Sequence, residues 1–142
     1  DDSILPMLDE VADFKGKRLL LVEDNILNQE IAQEILCEYG FLIDTADNGL
    51  EAVEKVTASK PGHYDAILMD IQMPVMNGHE ATKHIRGLAE PALANIPILA
   101  MTANAFDEDR KAALECGMSG FLSKPIEIDQ VIQVLQELFM TR

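Results

Sequence analysis

The sequence predicts an α/β fold in which five parallel strands form a doubly wound sheet with helices on both faces. From Lys17 onward, five short apolar runs alternate with five stretches of helical periodicity. Strands joined through helices pair in parallel, and a sheet covered on both faces has central strands that are apolar throughout. With 142 residues, 48% of them hydrophobic, the chain can form one domain around a substantial core.

The five predicted strands differ in how continuously apolar they are. The first, third and fourth read RLLLV (18–22), DAILMD (65–70) and IPILAMT (96–102). The second, FLIDTA (41–46), alternates between apolar and polar residues, and the fifth, GFLSK (120–124), is less apolar. We therefore place the first, third and fourth strands in the centre. The resulting order, 2-1-3-4-5, is the flavodoxin-like (βα)5 arrangement, whose ligand crevice lies at the carboxyl ends of the first and third strands.

The helical stretches follow the strands in turn. The first has one apolar face and ends at Gly40, and the others cover residues 48–59, 78–88, 105–116 and 128–139. The apolar face of the first consists of Leu27, Ile31, Ile35 and Leu36. The second is expected to bury Ala52, Val53 and Val56, and the last Ile128, Val131, Ile132, Leu135 and either Leu138 or Phe139.

Residues 1–16 stand outside this pattern, so we expect a linker or N-terminal extension there and the folded domain at 17–142. Ile4, Leu8 and Val11 have helical spacing, which leaves a short docked helix as an alternative. Because the chain starts without Met, we also expect it to be a piece of a longer protein.

The net charge of −14, from 25 acidic and 11 basic residues, disfavours direct contact with nucleic acid or with anionic membranes. No apolar run is long enough to span a bilayer. Cys37 and Cys116 are predicted to be small buried hydrophobic residues in a reducing compartment. The three histidines, His63, His79 and His84, lack metal-ligand spacing and are predicted to lie on the surface.

Polar side chains follow the predicted strands at the edge where their carboxyl ends meet. They are Glu23, Asp24, Asp70, Thr102 and Lys124. Three carboxylates held together repel one another unless a cation joins them or a pKa rises, and a hard divalent cation such as Mg²⁺ suits oxygen ligands. A carboxylate nucleophile, a metal, an ammonium group and a hydroxyl group together suit phosphoryl transfer.

Most of these residues also have a simpler interpretation. Either Asp24 or Asn25 could cap the following helix, Thr102 could cap the helix after it, and Lys124 could be a solvated loop residue. Asp70 is harder to explain in this way, because its strand is apolar up to that position.

Four segments carry a resemblance to a known family: LLLVEDNILNQEIAQEIL, YDAILMDIQMPVMNGHEATKHIR, IPILAMTANAF and ALECGMSGFLSKPI. They resemble the receiver domain of two-component response regulators, especially receivers fused to hybrid sensor histidine kinases. The similarity covers about residues 17–140. It implies that Asp70 is the phosphoacceptor, which takes a phosphoryl group from a phosphohistidine to form an acyl phosphate.

The resemblance also implies roles for the neighbouring residues. Mg²⁺, which Mn²⁺ can replace, would be held by the carboxylates of Glu23, Asp24 and Asp70 and by the backbone carbonyl of Gln72. Lys124 would pair with Asp70 or with its phosphoryl group, and the bond from Lys124 to Pro125 would be cis, as is usual in the family.

Thr102 and Phe121 would form a switch. On phosphorylation, Thr102 would move toward the new group and Phe121 would turn into the vacated space. This would change the surface made by the helix at 105–116, the strand at 120–124 and the helix at 128–139. Phe121 also has the simpler interpretation of an ordinary core aromatic residue.

Two positions in this resemblance need comment. Asn77 occupies a position where the family most often has Asp, and Asn suits the same turn and helix start. Gln72 and Asn104 occupy the positions that tune hydrolysis of the acyl phosphate in the family. Both are amides, so they do not predict its rate.

The expected partners are the phosphohistidine domain of a histidine kinase and, downstream, a histidine phosphotransfer domain, docking on the first helix. The expected location is cytoplasmic, as the cytoplasmic part of a membrane-bound sensor kinase if the parent protein is a hybrid kinase. A stand-alone response regulator is the main alternative. A receiver-like interaction module would normally lack some of the acidic residues present here. A nucleotide-binding domain is disfavoured by the acidic EDNILN after the first strand.

The remaining alternative is an aspartyl phosphatase or phosphotransferase of the haloacid dehalogenase type. Such enzymes need a second Asp two residues after the nucleophile as a general acid, and this chain has Gln72 there.

Overall fold

A computed structural model of the chain describes residues 16–71, 75–102, 107–123 and 128–140. The elements follow in the order β1 (Arg18–Val22), α1 (Ile26–Glu38), β2 (Leu42–Ala46), α2 (Gly49–Ala58), β3 (Ala66–Asp70), α3 (Gly78–Arg86), α4 (Pro91–Ala94), β4 (Ile98–Thr102), α5 (Asp107–Glu115), β5 (Gly120–Ser123) and α6 (Ile128–Met140).

The strands form a five-stranded parallel sheet in the order β2-β1-β3-β4-β5, which confirms the predicted arrangement. All five residues of β3 and of β4 are buried, whereas the edge strand β2 is largely half-buried and has Leu42 exposed. The difference follows from position, because only central strands have a neighbouring strand on each side and helices over both faces.

Successive side chains of each central strand enter two separate hydrophobic clusters, one on each face of the sheet. The first face packs against α2, α3 and α5 through Ala52, Val56, Ala81, Ile85 and Ala113. The second packs against α1 and α6 through Ala32, Leu36, Val131, Ile132 and Leu135. The burial predicted for Ala52, Val56, Val131, Ile132 and Leu135 is therefore confirmed, and Val53 is partly buried.

The short helix α4 was not predicted from the sequence, where residues 89–95 carry no helical periodicity. Its four residues begin with Pro91, and the carboxylate of Glu90 accepts a hydrogen bond from the amide of Ala92. Proline at the first helical position costs nothing there, because that amide has no partner within the helix. A single capped turn of this length has no room for a periodic pattern.

The apolar face predicted for α1 is confirmed only in part, because Leu36 is buried and Ile35 is half-buried but the other two residues are exposed. Ala32 and Leu36 are buried, but Leu27 is 64% exposed and Ile31 is 49% exposed. Ile26 is exposed to a similar extent. The helix turns its small Ala32 toward the sheet and leaves three large apolar side chains in solvent. Periodicity alone favoured the larger side chains, and it was wrong for Leu27 and Ile31.

Two further expectations need correction. Cys37 is exposed rather than buried, and Cys116 is half-buried against the first core cluster. His63 and His84 lie on the surface as predicted, but His79 is half-buried, with its Nε2 atom enclosed and without a hydrogen-bond partner among the described residues.

The structure leaves several other predictions open. Residues 1–15 and the side chains of Ile128, Leu138 and Phe139 lie outside the described part of the chain. In the part that is described, none of the helices is both long and apolar enough to cross a lipid bilayer.

Candidate functional site

Three carboxylates meet at the carboxyl ends of β1 and β3. One oxygen from each of Glu23, Asp24 and Asp70 lies within 4.8 Å of the other two. Glu23 and Asp70 are only 3% and 4% exposed, whereas Asp24 is exposed. The site therefore has two enclosed carboxylates beneath one that faces solvent, which leaves it open on one side.

The pairing of β1 with β3 brings these residues together. Val22 is in register with Met69. Glu23, which follows the last residue of β1, therefore lies beside Asp70, which is the last residue of β3. Alternation along the strands places both side chains on the face of Leu21 and Leu68, the face that α1 covers. Apolar β3 thus delivers a charged group to the end of a buried strand, at the edge where ligands bind in this class of fold.

Asn25, and not Asp24, caps helix α1. Oδ1 of Asn25 accepts a hydrogen bond of 3.1 Å from the amide of Asn28, and Asn25 has extended backbone angles. Asn is a favoured residue at this position, because its side chain satisfies an amide that lacks a partner within the helix. The sequence left the cap open between Asp24 and Asn25. With Asn25 in that role, the carboxylate of Asp24 belongs to the acidic cluster.

Two amide side chains in the first turn of α1 support the site, and the sequence analysis did not single them out. Nδ2 of Asn28 donates to Oε1 of Glu23 at 3.1 Å, and Nε2 of Gln29 donates to the backbone carbonyl of Glu23 at 3.1 Å. Residues that orient metal-binding carboxylates commonly act in this way. The sequence signal for this support is two amide residues about one helical turn after an acidic pair. It is a weak signal unless the position of α1 relative to β1 is known.

The electrostatics of the cluster favour a bound cation. Two unit charges 4.8 Å apart repel by about 3 kcal/mol at an effective dielectric constant of about 20. Glu23 and Asp70 are enclosed, so water screens them poorly. A hard divalent cation would offset this repulsion, and three carboxylates that leave one side open suit a small ion that keeps some of its water.

Thr102 and Phe121 lie on the opposite face of the sheet from the carboxylates. Thr102 ends β4, one residue beyond the register partner of Asp70, and is 6% exposed. Phe121 is in register with Ala100 and packs, half-buried, against the first core cluster. Alternation puts Thr102 on the same face as Ala100, and therefore on the face of Phe121. The two predicted switch residues thus lie near one another on neighbouring strands.

Four residues that the resemblance named at the site lie outside the described part of the chain: Gln72, Asn104, Lys124 and Pro125. The turn before α3 is described at its end. Asn77 caps α3 by accepting from the amide of Glu80 at 2.9 Å, and Glu80 accepts in return from the amide of Asn77. The prediction that Asn suits the helix start at this position is confirmed.

Comparison with known proteins decides the family. The model of the response regulator receiver domain matches residues 19–136. The chain belongs to the response regulator receiver domain family. This receiver domain is 44% identical, over 133 residues, to hybrid signal transduction histidine kinase B of Dictyostelium discoideum. The match covers 87% of the chain, but the chain spans only 7% of the length of that relative.

Two solved structures resemble this receiver domain closely. One is the receiver domain of the sensor histidine kinase PA1611 from Pseudomonas aeruginosa PAO1, with a TM-score of 0.76 and 38% identity, covering 86% of this chain and 96% of that one. It holds a magnesium ion in its active-site cleft. The other is the receiver domain of Ssk1 from Saccharomyces cerevisiae, in complex with the histidine phosphotransfer protein Ypd1. Its TM-score is 0.73 at 33% identity, covering 83% of this chain and 85% of that one.

The family assignment fits the geometry of the site. The chain is a receiver domain of the kind found in two-component phosphorelays, and its acidic cluster fits a magnesium-binding phosphoacceptor site. The assignment also decides against an aspartyl phosphatase of the haloacid dehalogenase type.

Proposed function

We propose that Asp70 is the phosphoacceptor of this receiver domain and that the phosphoryl donor is a phosphohistidine. The observation that carries the proposal is the enclosure of Asp70 beside Glu23 and Asp24, with one oxygen of each within 4.8 Å of the others. The donor set consists of carboxylate oxygens, which suits Mg²⁺, with Mn²⁺ as a substitute. The backbone carbonyl of Gln72 would complete the protein ligands.

In the reaction, a carboxylate oxygen of Asp70 attacks the phosphorus atom of the phosphohistidine. A P–O bond forms while the P–N bond breaks, and the imidazole leaves with the electron pair of that bond and takes up a proton. When bound, Mg²⁺ would neutralise the carboxylates and stabilise the negative charge on the phosphoryl oxygens. Asn28 keeps Glu23 oriented toward the site, and Lys124 would supply a positive charge to the phosphoryl group.

The signal would pass from Asp70 to the other face of the sheet through Thr102 and Phe121. A phosphoryl group adds charge and acceptor oxygens, which would draw the hydroxyl of Thr102 toward it. The position of Phe121 on the same face supports its movement into the vacated space. The surface of α5, β5 and α6 would then favour a second packing. Because the chain contains no Trp, Phe121→Trp offers a single fluorescent reporter of this change.

The partner would be a helical bundle that carries the phosphohistidine, either in a histidine kinase or in a separate phosphotransfer domain. The exposed Ile26, Leu27 and Ile31 on α1 support this proposal, because they lie in the first turns of the helix that begins two residues after Asp24 and form an apolar surface beside the site. The high identity to a hybrid histidine kinase supports a parent protein of that type, with a stand-alone regulator as the alternative. A cytoplasmic location is likewise a proposal.

The decisive experiment measures the intact mass of the full chain after incubation with acetyl phosphate and Mg²⁺. The unsubstituted chain should gain one phosphoryl group, and chelation of the metal should abolish the gain. Asp70→Asn should gain none. Asp129→Asn, which changes an exposed aspartate in the first turn of α6, is the matched control and should behave as the unsubstituted chain does.

The outcomes separate the alternatives. A phosphoryl group gained by Asp70→Asn would contradict the assignment of the phosphoacceptor. If the unsubstituted chain binds Mg²⁺ but gains no mass from acetyl phosphate, a phosphorylated histidine phosphotransfer domain becomes the donor to test. Failure with both donors would reject the proposed chemistry.

A further inference from the structure

The loop that follows Asp70 is held at its described ends, residues 71 and 75–77, by β4, by α2 and by the start of α3. At its start, the amide of Ile71 donates to the carbonyl of Met101, and the carbonyl of Ile71 accepts from the amide of Gly78 at 2.9 Å. Near its end, the carbonyl of Met76 accepts from the amide of Gly49 at 3.0 Å. Gly49 is the first residue of α2, where an amide has no partner within its own helix.

This contact leaves no space for a side chain at Gly49. A Cβ atom built there would lie less than 3.0 Å from the carbonyl oxygen of Met76 and 3.1 Å from Cβ of Ala81 on α3. Real Cβ atoms do not approach a backbone oxygen so closely, so either α2 or the loop would have to move. Gly87 offers a contrast, because the nearest atom to a Cβ there is the carbonyl oxygen of Lys83 at 3.5 Å.

We infer that Gly49 is a positioning residue for the phosphoacceptor site. Its missing side chain lets the first amide of α2 hold the carbonyl of Met76, two residues before Gly78, whose own amide holds the carbonyl of Ile71 next to Asp70. The inference rests on the proposed function, in which Asp70, the residue before Ile71, is the phosphoacceptor and a metal ligand. Sites of this kind need their groups held within about 0.5 Å. A displacement of about 1 Å can cost a factor of about 100.

The test compares Gly49→Ala with Gly87→Ala in the full chain. We expect Gly49→Ala to weaken the binding of Mg²⁺ alone, measured by calorimetry, roughly tenfold and to slow phosphorylation by acetyl phosphate by a similar factor. Gly87→Ala should change neither quantity. If Gly49→Ala is folded and binds Mg²⁺ as tightly as the unsubstituted chain, the inference is wrong.

A second variant separates the two contacts that a methyl group at Gly49 would make. Adding Ala81→Gly to Gly49→Ala relieves the contact with α3 but leaves the carbonyl of Met76 obstructed. Mg²⁺ affinity should therefore stay low in the double variant. Its return to the level of Ala81→Gly alone would mean that packing between α2 and α3 causes the loss, which would overturn the positioning role.

A measurement on the unsubstituted chain covers the case in which Gly49→Ala does not fold. Saturating Mg²⁺ should slow amide hydrogen exchange at Gly49 more than at Gly87, because only the first amide bonds to the loop. Equal slowing at the two positions would contradict the inference. If the unsubstituted chain neither binds Mg²⁺ nor accepts phosphate, the proposed function fails instead, and the two failures are distinguishable.

Discussion

The side-chain oxygen of Asn25 lies 3.1 Å from the amide nitrogen of Asn28 and caps α1, while its neighbour Asp24 contributes to the acidic cluster. Two adjacent residues thus serve separate purposes, one local and one in the site. The separation follows from direction, because the capping side chain must face the first turn of its own helix whereas a member of the acidic cluster must face the end of β3.

Substitutions at Asp24 and Asn25 should therefore affect different properties, the first mainly Mg²⁺ affinity and the second mainly stability. Asp24→Asn removes one carboxylate from the cluster and should weaken Mg²⁺ binding at least tenfold, with stability unchanged or slightly increased through reduced repulsion. Asn25→Ala should lower the free energy of unfolding by about 1 kcal/mol with a smaller change in Mg²⁺ affinity. Calorimetric titration with Mg²⁺ and urea unfolding measure the two quantities. If Asn25→Ala leaves the free energy of unfolding unchanged, Asn25 is not the cap of α1.

The amide of Asn28 should tune the site without being part of the reaction. Asn28→Ala removes the donor to Glu23, and we expect Mg²⁺ affinity to fall about tenfold, as is usual when the partner of a ligand is lost. Gln33→Ala, which removes another amide side chain from α1, should leave the affinity unchanged. Equal affinities in the two variants would mean that Glu23 needs no such support.

The exposed apolar surface of α1 should determine how fast a phosphohistidine domain transfers its phosphoryl group to this chain. Leu27→Asn should slow transfer from a phosphorylated histidine phosphotransfer domain at least tenfold, because it replaces an exposed apolar side chain that docking would bury with a polar one. Phosphorylation by acetyl phosphate should not change. Leu114→Asn, at a comparably exposed leucine on α5, is the control for donor transfer. Slower reaction with both donors would point to damage at the site itself rather than to lost docking.

A cluster of polar and charged side chains around Asp44 on the edge strand β2 should make stability depend on pH. Asp44 accepts hydrogen bonds from Tyr64 at 3.0 Å and Arg18 at 3.1 Å, and Nε2 of His63 lies 3.5 Å from it. Burial raises the pKa of Asp44, but these partners together lower it below its ordinary value of 3.8. Burial and the bond to Asp44 raise the pKa of Tyr64 to about 12, so the phenol stays protonated and donates.

A lowered pKa means that Asp44 contributes stability above its ordinary pKa and loses that contribution as the pH falls below about 4. Asp44→Asn should therefore cost less than about 1 kcal/mol near pH 6, since the group is partly exposed, and less again near pH 3. Urea unfolding at the two pH values measures the difference, and a cost for Asp44→Asn that grows toward pH 3 would reverse the assigned sign.

Val75 has the backbone conformation of a glycine. Its φ is +68°, which is strained for a β-branched residue, and its side chain is 75% exposed. Val75→Gly should raise the free energy of unfolding by about 1 kcal/mol, because the strain is released and little packing is lost. Val75→Ala keeps a Cβ atom and should gain less. If urea unfolding shows Val75→Gly to be less stable than Val75→Ala, the backbone at Val75 is not strained.

Much of the fold could be predicted because the composition of a strand indicates whether it lies in the centre or at the edge of the sheet. Residues such as Leu20, Ile67 and Leu99 are fully buried between two layers of helices, so their strands read as unbroken apolar runs. The acidic cluster was predictable for a related reason, since parallel strands share one carboxyl edge. The short helix α4 was missed because a single turn has no period. The buried face of α1 was predicted only in part, because Ala32 carries too little apolar surface to stand out.

The sequence alone determined the order of the strands, the identity of the carboxylates at their ends and the resemblance to receiver domains. Only the tertiary structure decided which of these side chains meet and what supports them. Asn28 holds Glu23 because α1 packs over β1, and Gly49 holds Met76 because α2 packs beside α3. Gly49 and Met76 are distant along the chain, and Asn28 and Glu23 face each other only because α1 packs against the sheet. Local periodicity specifies which residues form an element, but the distance between two elements depends on every side chain between them.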